Sequence, residues 1–423
     1  MTDTIYALSS GAPPAGIAII RISGPFAGEA LSRLAGKRPR ARHAALRTLR
    51  AADGSVLDQA LVLWFPGPAT ASGEDMAELH CHGGRAVVEA VLAELGRLEG
   101  FREAQPGEFT RRAFANGRID LAEVEGLGDL LAAETEWQRR GAIAAAGGEL
   151  SRRIEQWRGE VLGLSAKLEA VIDFSDEDDV SQLPADFSGQ LAALAGAIEE
   201  IIARPPLERL KDGVRVVFAG PPNAGKSSLF NAILKEGVAI VSAEAGTTRD
   251  VIERPIALGG APFVLVDTAG LRDEGASAIE AIGVDRAKQQ MASADILLWL
   301  GPADMAPEGA HLVQSKSDLL AEMQVADHVV SSVTGEGLDD LVDWLVATAA
   351  GLLPPLDRLA LNRRQRALAR ECAVHLRSAE GQSDPLLAAE DLRLARLALD
   401  SISGRSSTED MLDALFGQFC IGK

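Results

Sequence analysis

Cysteine is scarce in this chain: Cys81, Cys372 and Cys420 are the only thiols in 423 residues. Three scattered cysteines give no disulfide framework and suit a reducing compartment. Long apolar runs are missing too. The longest uncharged one, around residues 344–352, falls well short of the ~20 residues that a membrane helix needs. The opening M-T-D-T-I-Y-A-L carries an acid where a secretory signal would carry a base. A soluble, cytoplasmic protein with no membrane contact is therefore expected. Positive charge is also short. Lys and Arg number 42 against 61 Asp and Glu, a net charge of −19, which argues against a surface that binds polyanions all over. It leaves room for local basic patches. Residues 33–50 hold Arg33, Lys37, Arg38, Arg40, Arg42, Arg47 and Arg50, and residues 362–366 read N-R-R-Q-R. Each of these is alternatively a solvated face.

What is present is enough apolar residue, 47%, to build buried cores, over a length that suggests roughly two to four domains. Residues 1–118 mix short apolar runs (G-I-A-I-I-R-I, A-L-V-L-W-F) with Gly and Pro turns, as an α+β domain does. Residues 119–210 are rich in Ala, Leu, Glu and Arg and read as helices. Over residues 211–355, the β runs V-R-V-V-F-A, F-V-L-V-D, D-I-L-L-W-L and H-V-V-S-S alternate with helical text. That alternation predicts a parallel sheet with helices on both faces. Helical text resumes over 356–423. Pro205-Pro206 and Pro354-Pro355 mark the joints. The fold class expected is multidomain α/β plus α, with a Ras-like P-loop domain inserted into a discontinuous helical domain.

The strongest chemical signal is G-P-P-N-A-G-K-S-S, residues 220–228, between a predicted strand and a predicted helix. That is the setting of a P-loop, whose backbone amides turn inward around phosphates. Asn223, Ala224, Gly225, Lys226, Ser227 and Ser228 would line the nucleotide. Lys226 would reach the β- and γ-phosphates, and Ser227 would hold Mg²⁺. G-T-T-R-D (246–250) offers Thr248 as a second Mg²⁺ ligand. D-T-A-G (267–270) offers Asp267 for Mg²⁺ through water, with Thr268, Ala269 and Gly270 at the γ-phosphate. S-K-S-D supplies Ser315, Lys316 and Asp318; the Asp318 carboxylate can accept from guanine N1 and N2, a pair that adenine cannot donate. S-S-V-T-G-E-G supplies Ser331, Ser332 and Val333 near guanine O6. Five pieces in order make a GTPase. Two positions depart from the common pattern. Ser315 stands where Asn is usual, and its shorter reach predicts a weaker tie to the P-loop and weaker nucleotide affinity. Leu271 stands where many Ras-like enzymes place a water-orienting Gln. Asp273, Glu274 and Glu280 are the acids at hand to polarise water, or they simply solvate a switch loop.

Taken together, G-I-A-I-I-R-I-S-G, P-G-E-F-T-R-R-A-F-A-N-G-R-I-D-L-A-E, E-A-V-I-D-F, the G motifs and the terminal F-C-I-G-K resemble the MnmE (TrmE) family of tRNA-modification GTPases over essentially the whole chain. The resemblance implies an N-terminal domain, residues 1–118, that dimerises and binds a tetrahydrofolate one-carbon donor. A helical domain (119–210 and 356–423) and an inserted G domain (211–355) would follow. It implies that K⁺ replaces an arginine finger when two G domains meet, with Asn223, Ser242, Glu244 and Thr247 as ligands. Ser242 and Thr247 would also border the nucleotide. Glu280 would be the residue that activates water. Arg21, Glu78, Arg118 and Lys423 fall at folate-contact positions, which would explain the tail: it would run back to the N-terminal domain. Cys420 would sit nearby, either as a nucleophile or as plain packing between Phe419 and Ile421. The implied reaction adds a carboxymethylaminomethyl or aminomethyl group to C5 of the tRNA wobble uridine. The homodimer would act with a flavoprotein partner, MnmG, which brings FAD and uses NADH. The competing reading is a ribosome-assembly switch GTPase serving as an RNA-binding module; a dynamin-like membrane GTPase is a remoter one. The H-C-H-G-G of residues 80–84 reads as a loop or strand end, because adjacent His-Cys-His has poor zinc spacing. The acidic run at 173–179 reads as a solvated turn.

Overall fold

A computed structural model describes residues 3–173, 183–239, 252–268, 288–319, 325–356, 359–406 and 409–422. The chain forms two units, one of residues 1–128 with 403–423 and the other of residues 129–402.

The first unit is built on a six-stranded sheet. In chain order its elements are β1 (Thr4–Leu8), β2 (Ala15–Ser23), helix α1 (Ala27–Ala35), β3 (Ala45–Arg50), β4 (Val56–Phe65), β5 (Met76–Gly83), α2 (Arg85–Leu95), β6 (Phe101–Glu103), α3 (Glu108–Ala115) and α4 (Leu121–Leu131). The strands lie in the order β3-β4-β5-β2-β1-β6, antiparallel except for the parallel pair β1–β6. β2 shows how the sequence specifies this. Ala18, Ile20 and Ile22 are fully buried, while Ile17, Ile19 and Arg21 face the other way, the period-two pattern of a strand with one core face. The core joins Ile20, Ile22, Val62 and Leu79 to Leu31 and Leu34 of α1 and to Val91 and Leu95 of α2. Each such side chain contributes about 1.5–3 kcal/mol by leaving water.

The second unit opens with α5 (Glu136–Ala146), α6 (Glu149–Asp173), α7 (Phe187–Ile202) and the short α8 (Glu208–Asp212). Helix α5 starts at a capping box: the Thr135 hydroxyl accepts from the Gln138 amide, and the Gln138 side chain accepts from Thr135 N–H. Then come β7 (Val214–Ala219), α9 (Lys226–Glu236), β8 (Val238–Ala239), β9 (Ile252–Leu258), β10 (Ala261–Asp267), β11 (Ile296–Trp299), β12 (His311–Gln314), β13 (His328–Val329) and α10 (Leu338–Leu352). The sheet order is β13-β12-β11-β7-β10-β9-β8. The strands from β13 to β10 run parallel, as the alternation predicts. β9 runs antiparallel to β10, and β8 antiparallel to β9. Helices α11 (Arg363–Gly381) and α12 (Pro385–Ser403) complete the unit. The two proline joints meet: Leu207 N–H donates to Leu361 O at 3.1 Å, and Arg204 Nη1 donates to Leu359 O at 3.0 Å. The chain thus enters and leaves the seven-stranded part at one place, as an insertion requires.

The last helix, α13 (Glu409–Phe416), and the tail after it belong with the first unit. Leu412, Phe416 and Phe419 pack on Leu121 and Val124, and Arg111 pairs with Glu409 and Asp413. The helical text after residue 356 therefore divides between the two units. Among the described residues, no helix is long and apolar enough to cross a membrane.

Candidate functional site

The P-loop follows β7 and feeds α9, so the Lys226 amide opens a helix N-terminus where backbone N–H groups stand unpaired by the helix itself. Gly225 takes φ +91°, and Gly220 takes φ +144°. A Cβ on Gly220 would lie 2.3 Å from Leu300 O, so glycine is required there. Lys226 is buried, and its Nζ donates to Gly220 O at 3.1 Å and Pro221 O at 2.9 Å. The ammonium is held inside the loop that it serves. Ser227 and Ser228 are exposed in the first turn of α9, and Asn223 is exposed with φ +60°.

Two loops close over the guanine side. After β12, Ser315 Oγ donates to Ala224 O at 2.5 Å and Lys316 Nζ donates to Asn223 O at 2.7 Å. The shorter reach of serine does not cost it the tie to the P-loop. The backbones approach so closely that a Cβ on Gly225 would sit 2.7 Å from Ser315 Oγ. After β13, the fully buried Ser331 donates from Oγ to Asp318 Oδ1 at 2.6 Å and accepts from the Thr334 amide at 3.1 Å. That bond leaves the rest of the exposed Asp318 carboxylate to read a base. Ser332 is half-buried and Val333 is 84% exposed.

Asp267 ends β10 in register with Phe218 of β7 and is buried. Thr268, expected at the phosphates, instead directs its hydroxyl to Phe218 O at 2.7 Å. Its side chain stitches β10 to β7. Ser242, Glu244, Thr247, Thr248, Ala269, Gly270, Asp273, Glu274 and Glu280 lie outside the described residues, as does Lys423.

A cluster that sequence reasoning missed lies under the guanine loops. His311 Nε2 and His328 Nδ1 share a proton at 2.7 Å, and the His311 ring stacks on Trp344 with centroids 3.6 Å apart. Burial and the neighbouring His328 depress the His311 pKa, against the opposing pull of Asp327. Two lone histidines in β runs carry no spacing signal that would reveal this.

In the first unit, two of the expected folate residues come together. Arg21 on β2 pairs in register with Glu78 on β5, and its Nη2 donates to Glu78 Oε1 at 3.0 Å. His80, two residues along the same strand face, adds a 3.1 Å contact to Glu78 Oε2. The alternation M-A-E-L-H-C-H-G signals that neighbour. Arg118 is held elsewhere in the unit, by Thr70 O at 3.2 Å. The H-C-H-G-G stretch is a strand end, one of the two alternatives expected: residues 80–83 finish β5 and Gly84 follows it. His80 meets Glu78, Cys81 is buried on the opposite face, and His82 meets Asp58 at 2.7 Å. Alternating sides, the three cannot converge on one ion. Burial pushes the Cys81 thiol up to about 12.

The tail returns to this sheet. Ser9 Oγ donates to Gly422 O at 2.8 Å, Ile421 bridges to Pro106, and the Gly107 amide points at Cys420 O at 3.5 Å. Cys420 is exposed, so the plain-packing alternative does not describe its thiol.

The comparisons agree with this geometry. Residues 4–118 match the family model described as the GTP-binding protein TrmE N-terminus, and residues 121–420 match that of the MnmE helical domain. Two relatives carry the name tRNA modification GTPase MnmE. The one from Rhizorhabdus wittichii is 58% identical and covers 100% of this chain and 97% of its own. The one from Erythrobacter litoralis is 57% identical and covers 100% of both.

The chain belongs to the MnmE family of tRNA modification GTPases. Its P-loop and guanine-reading loops are accordingly those of a GTP hydrolase, and its place in the MnmE family makes it a tRNA-modifying GTPase. Beyond the G motifs, the family matches cover the first unit, whose sheet the C-terminal tail rejoins, and the helices before and after the seven-stranded sheet.

Proposed function

We propose that this chain is a potassium-activated GTPase that acts as a homodimer with the flavoprotein MnmG. Together they would install a carboxymethylaminomethyl or aminomethyl group at C5 of the wobble uridine, U34, of certain tRNAs, using a one-carbon unit on a tetrahydrofolate derivative. The observation that supports this most is the seating of the tail. Gly422 lies so close to Leu8 and Ser9 that a Cβ on it would fall 2.1 Å from Leu8 O. Leu8 pairs with Ile20 and Ala7 with Arg21, so the tail is seated on β1, the strand that neighbours β2 and its Arg21. A GTPase that only switches needs no such tail.

The described residues support this reading in part. The Arg21–Glu78 pair offers a carboxylate for an N–H-rich ring and a cation for a carboxylate tail. Arg118 and Lys423 would complete the folate contacts, and the exposed Cys420 would serve as nucleophile beside the one-carbon donor. In the other unit, Ser227, Thr248 and, through water, Asp267 would hold Mg²⁺. Asn223, Ser242, Glu244 and Thr247 would hold K⁺. The Asn223 side chain is exposed and makes no hydrogen bond among the described residues. Such a potassium ion would supply positive charge of the kind that an arginine finger provides. Lys226 binds the phosphates, and Glu280 orients the attacking water in place of the glutamine that Leu271 replaces.

The test is deletion of the gene, with mass analysis of tRNA nucleosides. The C5 group is lost from U34 and returns with the wild-type chain, but not with Lys226→Ala. Persistence of the modification in the deletion strain contradicts the proposal.

A further inference from the structure

Many cations of this acid-rich chain have a carboxylate partner, and some have two or three. Arg112 meets Asp3, Glu74 and Glu108, and Arg377 meets Glu199 and Glu380. Residues 33–50 break that pattern. They contain seven Lys and Arg and no acid. Arg33 pairs with Glu29; none of the other six has a carboxylate partner among the described residues. Those that are held are held by neutral groups. Arg38 lies over the Trp64 ring at 4.8 Å, and Arg42 over the Phe65 ring at 5.8 Å while donating to Ala69 O. Arg47 donates to Leu46 O and Arg50 to Gly54 O. Rings and carbonyls fix a guanidinium in place without cancelling its charge, so the segment presents positive charge that is both positioned and uncompensated. It lies on the loop before β3 and along β3 itself, the edge of the sheet.

The second basic run is not comparable. Residues 362–366 hold only three arginines, and Arg364 turns its guanidinium onto Ser401 O and Ile402 O at the end of α12.

We propose that the loop and edge strand of residues 33–50 form an RNA-phosphate docking surface, through which the first unit holds the backbone of the tRNA. This rests on the tRNA-modification reading and adds to it a place of contact. Regularly spaced phosphates on a net −19 protein need a cationic surface free of competing carboxylates, and this segment supplies one.

The test measures binding of an unmodified tRNA transcript to the full-length chain as KCl is varied. Two variants are compared with wild type. Lys37→Gln with Arg40→Gln changes side chains that make no hydrogen bond or ion pair among the described residues, so folding is spared. Arg38→Gln with Arg42→Gln removes the ring-held pair. Each double variant lowers the slope of log K against log salt by about 1.4–1.8, at about 0.7–0.9 per lost phosphate contact. Each also binds at least tenfold more weakly at about 0.1 M salt, with GTP turnover unchanged. Equal slopes and affinities for wild type and both variants overturn the docking surface alone. A wild type without tRNA affinity overturns it together with direct tRNA contact, while leaving the GTPase assignment to its own assay. Variants that keep tRNA affinity but assemble into larger species than wild type show that the charges only guard an edge strand, and this too overturns the proposal.

Discussion

Replacing Ser315 isolates the contact that joins the two halves of the nucleotide site. Ser315 Oγ donates to Ala224 O at 2.5 Å, one of two side-chain ties from the guanine loop to the P-loop; Lys316 Nζ to Asn223 O is the other. Ser315→Ala removes the first and leaves the second. A net hydrogen bond contributes about 0.5–1.5 kcal/mol, and the ordering it supplies in advance must then come from binding energy. GDP binding should weaken about two- to thirteenfold, at RT of about 0.59 kcal/mol. Discrimination of GDP from IDP, which lacks the 2-amino group, should stay unchanged, because Asp318 and its partner Ser331 are untouched. Ser315→Asn restores the commoner residue, but the gap is already tight, with a Cβ on Gly225 falling 2.7 Å from Ser315 Oγ. The extra atoms must displace the P-loop, so this variant should bind no more than about twofold tighter than wild type. Fluorescent GDP titrations check both. Wild-type affinity for Ser315→Ala, or tenfold tighter binding for Ser315→Asn, would refute the reasoning.

Three further outcomes are expected. A thiol reagent at mild alkaline pH should find one fast cysteine in the native protein, the exposed Cys420, because burial pushes Cys81 and Cys372 up to about 12; three equally fast thiols would contradict the structure. His311 has a depressed pKa in the folded state, so below about pH 6.5 the unfolded chain binds more protons and stability falls as pH drops toward the folded value. Denaturant midpoints between pH 7.5 and 5 should show this for wild type and much less for His311→Gln; identical profiles would remove the cluster from the account. Arg112→Ala empties a fully buried site and leaves Glu74 without its cation, while Asp3 and Glu108 keep Arg102, at a cost of about 3 kcal/mol in unfolding free energy; a loss under 1 kcal/mol by urea titration would count against it.

The parts of this protein that one stretch of chain encodes were legible. The P-loop needs only a strand, a glycine turn and a helix in succession, and β7, Gly225 and α9 provide them in order. The β2 pattern likewise reports its own buried face. What escaped was set by distant neighbours. Leu412, Phe416 and Phe419 show an apolar face in the sequence, but not that it packs on Leu121 and Val124. The reach of Ser315 depends on backbone separation, which residue size does not reveal. β9 escaped because Pro255 and its charged residues disguise it; among the described residues β8 pairs only Ile256 and Ala257, so Pro255 stands at an edge position. Thr268 belongs to a familiar motif, yet its hydroxyl serves the sheet.

GTP turnover in KCl against NaCl at equal ionic strength tests the central claim most directly, for wild type and Glu280→Ala. The account predicts a faster wild type in potassium and no stimulation in the variant. Equal wild-type rates in the two salts would contradict it.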